Sequence, residues 1–129
     1  MPPAPSLYSG FYPGRAPIDA YGNGGFRFAD MSHRGSLLIV PSGIYGWEVD
    51  ALDELTPERC ASFLAELRRP AFVLLGTGRE HRLPPAPIRK LFADAGLGLE
   101  PMSTGAAART YNVLLAEGRE FGAGLIAVD

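Results

Sequence analysis

The polar residues with the clearest chemical potential lie in one predicted helix, residues 103–118. Ser103, Thr104 and Gly105 stand at its amino-terminal end, where free backbone amides and the helix dipole attract anions. The three residues that follow are alanines, whose small side chains allow another backbone to approach closely. This pattern predicts either a site for an anion or carboxylate or, alternatively, a helix that lies tightly against a sheet.

Arg109 and Asn112 lie about one turn apart in the middle of the same helix. Residues at this spacing are neighbours on the helix surface, so the guanidinium and the carboxamide could converge on one ligand. They could equally bind loop carbonyls that would otherwise lack hydrogen-bond donors. The spacing therefore indicates a candidate contact region and leaves a ligand-binding role and a structural role both open.

A second candidate loop, Gly76, Thr77 and Gly78, follows an apolar segment that is predicted to be a strand. Glycine lets backbone amides approach a phosphate closely, which invites comparison with phosphate-binding loops. The loop lacks the third glycine of a dinucleotide-binding motif and the lysine of a Walker motif. A tight turn that needs small residues is the alternative interpretation.

The two candidate loops are expected to face each other. Leu75 and Met102 each end a predicted strand that leads into a helix, and right-handed crossovers place such ends at the same edge when the strands are parallel neighbours. We therefore predict a ligand or partner cleft between residues 76–78 and residues 102–105. The predicted cleft residues are Gly76, Thr77, Gly78, Ser103, Thr104, Arg109 and Asn112.

No catalytic or metal-binding set accompanies this cleft in the sequence. His33 and His81 have no Asp, Glu or Cys at ligand spacing, and Ser42 is not part of a Gly-x-Ser-x-Gly turn. Cys60 is the only cysteine, and its position in the apolar stripe of a predicted helix indicates a core residue. We therefore predict no catalytic residue, no metal ligand and no cofactor.

Size and charge narrow the classes of function. The chain has 129 residues, of which 47% are hydrophobic, and this predicts one compact domain. A net charge of −2 without a basic block argues against a nucleic-acid-binding protein. No apolar run approaches the roughly 18 residues needed to cross a bilayer, and the amino terminus lacks a secretory signal pattern. The expectation is a soluble, cytoplasmic protein that does not span a membrane.

The order of predicted elements defines the expected fold. Residues 1–17 are a proline-rich arm and residues 18–129 a single domain. Predicted strands cover residues 18–30, 36–41, 44–49, 71–75, 97–102 and 122–128, predicted helices cover 57–68, 86–95 and 103–118, and a turn covers 31–35. This order predicts a three-layer α/β domain with a central mixed sheet, about three flanking helices and an opening hairpin.

Several motifs, in this order, resemble a small-domain family shared by mitochondrial complex I assembly factor 3 and the adipogenesis-associated domain protein. The resemblance covers roughly residues 18–128. The motifs are Tyr21-Gly22-Asn23-Gly24-Gly25-Phe26, Pro41-Ser42-Gly43 with Trp47, Leu74-Leu75-Gly76-Thr77-Gly78, Met102-Ser103-Thr104 with Ala107, Arg109-Thr110-Tyr111-Asn112 and Glu117-Gly118-Arg119.

The resemblance implies the same three-layer fold and gives a first functional expectation. The mitochondrial relative acts as a chaperone-like assembly factor for the NADH-oxidising respiratory complex, and bacterial members are mostly of unknown function. No catalytic residue is carried over from the family. The leading hypothesis is a non-enzymatic binding or assembly factor whose partners are protein subunits of a respiratory complex. The alternative is a protein or enzyme that binds a small, anionic molecule in the cleft between the two loops.

Overall fold

The computed structural model describes residues 11–129 and divides them into nine strands and three α-helices. The strands are β1 (Phe11–Pro13), β2 (Ile18–Gly22), β3 (Gly25–Phe28), β4 (Met31–Arg34), β5 (Ser36–Val40), β6 (Gly43–Trp47), β7 (Phe72–Gly76), β8 (Gly98–Met102) and β9 (Gly122–Leu125). The helices are α1 (Ala61–Glu66), α2 (Ala86–Ala95) and α3 (Thr104–Ala116), with 3₁₀ turns at Leu52–Glu54 and Glu58–Cys60.

Six strands form the central mixed sheet, in the order β1-β6-β5-β9-β7-β8. β7 is parallel to both of its neighbours, β9 and β8, whereas the remaining pairs are antiparallel. β5 and β7 lie inside the sheet and are apolar along almost their whole length, as expected for strands covered on both faces. The mixed central sheet predicted from these runs is confirmed.

The two faces of the central sheet pack against different layers. Val73 and Leu75 of β7 belong to a core shared with Phe63 of α1 and Phe92 of α2. Leu74 points to the opposite face, where a second core includes Tyr111 of α3 and the aromatic residues of β3. Alternating side chains of one strand thus bind helices on both sides, and the predicted three-layer α/β architecture is confirmed.

A three-stranded antiparallel sheet, β2-β3-β4, covers part of the face that carries α3. Its first two strands meet at a two-residue turn in which Asn23 and Gly24 have φ angles of 53° and 78°. Positive φ at both turn positions defines a type I′ hairpin, for which Asn-Gly is the favoured sequence. The predicted opening hairpin therefore exists, but residues 18–30 form two strands instead of one.

β4 corrects a second expectation, because residues 31–34 were predicted to form a turn. The segment pairs with β3 in continuous register, with His33 opposite Phe26 and Met31 opposite Phe28. Its short polar sequence shows no apolar run, so the pairing depends on its neighbour and not on local propensity. Gly35, with φ of 99°, separates β4 from β5 at the point where the chain changes sheets.

Helix α1 is shorter than predicted, whereas α2 and α3 begin and end close to the expected residues. The chain forms a 3₁₀ turn before α1 and becomes extended at Leu67, ahead of Pro70. Gly96 ends α2 in the left-handed conformation, with φ of 74°, as a C-terminal glycine does. The hydroxyl of Ser103 accepts a hydrogen bond from the Ala106 amide and caps α3.

Part of the predicted proline-rich arm packs on the domain. Phe11–Pro13 form the outer strand β1 beside β6, and Ala16 is buried. Residues 1–10 lie outside the described residues, and the division into an arm (1–17) and a domain (18–129) remains a prediction. Within residues 11–129, no helix is long and apolar enough to cross a lipid bilayer.

Candidate functional site

The two loops of the predicted cleft lie side by side. β7 and β8 end in register, with Gly76 opposite Met102. The Thr77 amide donates to the Met102 carbonyl at 2.8 Å, and the Thr104 amide donates to the Gly78 carbonyl at 2.8 Å. The expectation that these strand ends face each other is confirmed, and the loops form a hydrogen-bonded contact that we call the loop junction (residues 76–78 and 102–105).

Thr104 is the centre of the loop junction, and its side chain is fully buried. Its hydroxyl donates to the Ile126 carbonyl at 2.7 Å and accepts from the Gly78 amide at 3.0 Å. One side chain therefore connects the end of β9 and the loop after β7 to the start of α3. A β-carbon added to Gly76 would lie 3.0 Å from the Thr104 Cα, so glycine permits this close approach.

Thr77 has a similar structural environment. Only 4% of its surface is exposed, and the single proton of its hydroxyl is shared between the carbonyls of Glu80 and Met102, at 2.5 and 3.1 Å. The same oxygen accepts from the Arg82 amide at 3.1 Å. These bonds fold residues 77–82 into a compact loop, and they use the only proton of the hydroxyl.

The amino-terminal amides of α3 are also largely engaged. The Thr104 amide binds Gly78, the Ala106 amide binds the Ser103 hydroxyl at 3.3 Å, and the Ala107 amide binds the Ser103 carbonyl. A helix start attracts an anion through amides that lack other acceptors. The Ala107 bond is the first intrahelical bond, so the Thr104 and Ala106 amides are the ones withdrawn from an anion, and the loop junction holds the sheet edge and α3 together.

Arg109 and Asn112 have different environments although they are one turn apart. The Asn112 carboxamide binds the backbone of Ile18 at both ends: its oxygen accepts from the Ile18 amide and its nitrogen donates to the Ile18 carbonyl, each at 2.8 Å. Arg109 is exposed and forms no hydrogen bond or ion pair with residues 11–129. Asn112 therefore attaches β2 to α3, whereas the Arg109 guanidinium is not used by any residue between 11 and 129.

A groove of about 360 Å³ runs between β2 and α3, and we call it the β2–α3 groove. It is lined by Ile18, Asp19, Ala20, Tyr21, Ala108, Arg109 and Asn112. Tyr21 is 44% exposed, and a β-carbon added to Gly105 would collide with its phenol oxygen and lie 3.6 Å from Nη1 of Arg109. The phenol and the guanidinium thus lie over the same turn of α3.

A second groove, of about 430 Å³, lies beside the loop junction at the carboxyl ends of β7 and β9. Its lining comprises residues 50–52, 77–80, 82 and 126–129. Arg79 and Arg82 are accompanied there by Asp50, Glu80 and Asp129. Because the three carboxylates outnumber the two guanidinium groups, this groove does not favour an anion.

Two buried ionisable groups have pKa values raised by loss of hydration. Burial raises the pKa of the Cys60 thiol to about 11, so the group is protonated near neutral pH and is not a reactive thiolate. Cys60 is 1% exposed, which confirms its predicted place in the core. Burial also raises the pKa of Tyr111, whose hydroxyl donates to the Ala16 carbonyl at 2.8 Å.

The remaining polar candidates have local partners. The Ser42 hydroxyl donates to Glu66 at 2.7 Å and shares a 2.8 Å hydrogen bond with the Tyr45 hydroxyl, so a carboxylate and a phenol surround it. His33 contacts the Ser36 carbonyl through Nε2 at 3.1 Å. Among residues 11–129, no three His, Cys, Asp or Glu side chains cluster as metal ligands would.

Sequence reasoning missed five of the seven lining residues of the β2–α3 groove, among them the polar residues Asp19 and Tyr21. The available signal was the Asn23-Gly24 dipeptide, which predicts a type I′ hairpin and would have placed Tyr21 in an outer strand. Treating residues 18–30 as a single strand concealed this edge. Exposure of Tyr21 is thus a consequence of strand pairing across the hairpin.

Comparisons with known proteins agree with this fold. A family model described as a protein of unknown function (DUF498/DUF598) matches residues 18–126. An uncharacterised protein of Rhodobacter capsulatus is 39% identical over 115 residues, which cover 89% of this chain and 87% of that protein. An outer membrane protein from Bartonella henselae, known from its crystal structure, has a TM-score of 0.84 and 53% identity, covering 92% of this chain and 99% of that one.

Most of the chain is also similar to an NADH dehydrogenase assembly factor. NADH dehydrogenase (ubiquinone) 1 alpha subcomplex assembly factor 3 of Mus musculus is 30% identical over 122 residues, or 94% of this chain. These residues amount to 65% of the length of the mouse protein. The chain is therefore similar to about two thirds of that assembly factor.

Proposed function

The chain belongs to the DUF498/DUF598 family of proteins of unknown function. We propose that it is a non-enzymatic binding protein that assists assembly of a respiratory complex. The observation that carries the proposal is the 30% identity to an NADH dehydrogenase assembly factor over 94% of the chain. The mouse protein is longer, so the proposed activity concerns the part that the two proteins share. A cytoplasmic location belongs to the same proposal, and cell fractionation tests it.

The environments of the predicted cleft residues support a binding role over catalysis. The hydroxyls of Thr77 and Thr104 hold backbone groups and are almost inaccessible to a substrate. Arg109 is exposed beside a groove and has no hydrogen-bonding partner among residues 11–129, so its guanidinium can contact another molecule. A binding protein needs such an accessible contact, whereas a catalyst needs an accessible reactive group held near an acid or base.

Two linked measurements test the assembly proposal. In a strain that lacks the gene, we expect reduced NADH:ubiquinone oxidoreductase activity and reduced amounts of the assembled complex. The tagged chain should recover subunits of that complex from detergent-solubilised membranes, and a wild-type copy should restore activity. Normal oxidoreductase activity in the deletion strain, together with no respiratory subunit in the recovered material, would reject the proposal.

A second candidate function is binding of a small anion, and the exposed guanidinium of Arg109 favours it. A ligand that binds only the folded state raises its stability by RT ln(1 + [L]/Kd). A thermal-shift screen with nucleotides, carboxylates and inorganic phosphate should then give a rise in Tm that Arg109→Gln abolishes. If no compound raises the Tm at millimolar concentration, the small-anion function is rejected.

A further inference from the structure

β2 has an unpaired edge within the described part of the chain. It is an outer strand of the small sheet and pairs only with β3. Gly22 and Gly25 flank the two-residue hairpin turn, a position at which the opposed residues exchange both backbone hydrogen bonds. The next pair, Tyr21 and Phe26, is then a non-hydrogen-bonded pair. The amide and carbonyl of Tyr21 consequently point away from β3.

The other outward-facing residue of this edge already has a substitute for a strand partner. Asn112 binds both the amide and the carbonyl of Ile18, as the backbone of a neighbouring strand would. A register shift between Ile18 and Ala20 lies between the residue that Asn112 binds and Tyr21. Within residues 11–129, the β2 edge is therefore satisfied by α3 at Ile18 and has no partner at Tyr21, and both residues line the β2–α3 groove.

The groove supplies charged groups at the open end. Arg109 is the one cation among its seven lining residues, and Asp19 is the one carboxylate. A single exposed guanidinium binds a small free anion weakly, because water and salt screen the charge. A peptide would add two backbone hydrogen bonds at Tyr21 to a carboxylate contact at Arg109, which is how strand addition obtains both affinity and specificity.

We propose that the β2–α3 groove binds an extended, carboxylate-bearing segment of a partner protein, which adds to β2 as a strand at Tyr21 and places its carboxylate on Arg109. This inference rests on the proposed binding function and names the kind of segment that the chain recognises. The groove can be tested with purified protein alone, so its failure is distinguishable from failure of the role in respiratory assembly.

The first test uses a displayed library of random octapeptides selected on the folded, full-length chain. We expect enrichment of peptides that carry Asp or Glu at one fixed position. The same selection on Arg109→Glu should favour Lys or Arg at that position, whereas Arg34→Glu, in strand β4, should leave the acidic preference unchanged. Failure to enrich any peptide, or an acidic preference that survives Arg109→Glu, would overturn the proposal.

The second test detects strand pairing directly. Amide hydrogen exchange at Tyr21 should slow at least about tenfold when a selected peptide is added at saturating concentration, since a new hydrogen bond protects that amide. Exchange in β4 should stay the same. Tyr21→Pro, which removes the outward amide, should abolish binding, whereas Tyr21→Ala keeps the amide and should weaken binding much less. If Tyr21→Pro does not fold, the exchange result decides, and unchanged Tyr21 exchange counts against strand addition.

A competition experiment separates a peptide site from a simple anion site. Inorganic phosphate and free glutamate, added at the ionic strength of the control, should displace the selected peptide no better than chloride does. Displacement by either compound at millimolar concentration would show that Arg109 binds small anions, and strand addition would then be rejected.

Discussion

The loop junction and the β2–α3 groove both include residues of α3, yet the polar side chains of the two regions differ in burial and in hydrogen bonding. At the junction, Thr104 is fully buried and its hydroxyl bridges two backbone groups. Five residues later, Arg109 is exposed and has no bonding partner within residues 11–129. Residue type alone suggested one site that included both. The hydrogen bonds of the first region connect elements of the fold, and we propose that the second region contacts a partner.

Removing the Thr104 hydroxyl should have the largest effect on stability. Thr104→Val keeps the shape but leaves the Ile126 carbonyl and the Gly78 amide without a partner, and each buried unsatisfied group costs about 1–3 kcal/mol. We expect a loss of about 3 kcal/mol in urea unfolding. Thr110→Val on the same helix is the control, since the Thr110 hydroxyl binds no group within residues 11–129. Equal stabilities of the two variants would contradict a structural role for the junction.

Tyr111, on the buried side of α3, should make stability depend on alkaline pH. Burial raises the pKa of its phenol above the unfolded value of 10.0, so the unfolded chain loses the proton first. The stabilisation that comes from the raised pKa of Tyr111 is fully present below pH 10 and is lost as the pH rises further.

Comparing Tyr111→Phe with the wild type separates the ionisation of Tyr111 from that of Cys60. The Cys60 thiol is present in both proteins, and its ionisation lowers the free energy of unfolding of both from about pH 9 upward. At pH 8 the variant should be less stable by about 1–2 kcal/mol, because the Ala16 carbonyl loses its donor. Between pH 10 and 11 it should lose less stability than the wild type. If the unfolding free energies of the two proteins fall equally between pH 10 and 11, the pKa of Tyr111 is not raised in the folded chain.

Asn112 is hydrogen-bonded like Thr104 but only partly buried, so its replacement should lower the stability by an intermediate amount. Asn112→Ala removes two hydrogen bonds to Ile18, but the site is only partly buried and water can replace them. We expect a loss of about 1 kcal/mol and faster amide exchange at Ile18. Asn112→Asp is the matched control, because a carboxylate still accepts from the Ile18 amide but cannot donate to its carbonyl. Unchanged exchange at Ile18 in Asn112→Ala would refute the attachment of β2 to α3.

Arg109 should contribute least to the fold. Because its side chain is exposed and unbonded within the described residues, Arg109→Ala should change the unfolding free energy by no more than about 0.5 kcal/mol. The same urea series that measures Thr104→Val provides the comparison. A loss above about 1.5 kcal/mol would place Arg109 with the structural residues and remove the contrast between the two regions.

The elements that the sequence predicted well carry strong local signals. β5 and β7 are uniformly apolar, and α2 ends at a glycine that adopts the left-handed conformation. β4 was missed because its only apolar residue is Met31 and its pairing depends on β3. β1 was missed because prolines surround it, and a strand at the edge of a sheet tolerates them. Local patterns thus predicted the centre of the fold better than its edges.

The candidate site shows the same limit. Thr104, Arg109 and Asn112 were selected correctly as polar residues of one helix, but their roles depend on which backbone groups lie opposite them. Those groups belong to Ile126 and Ile18, which are distant in sequence. Tyr21 gained importance only when the hairpin placed it at an open edge. Whether a polar side chain is structural or accessible therefore depends on which groups lie next to it in the folded chain, and residue type alone does not reveal this.

The central claim, that α3 maintains the fold at Thr104 and contacts a partner at Arg109, is tested most directly by a quantitative pull-down. Wild-type, Arg109→Glu and Arg34→Glu chains, expressed at equal levels and folded equally well, would serve as baits for solubilised membranes. We predict that Arg109→Glu recovers at least about tenfold less of the respiratory subunits than either of the other two baits. Recovery of those subunits by Arg109→Glu at the wild-type level would contradict the claim.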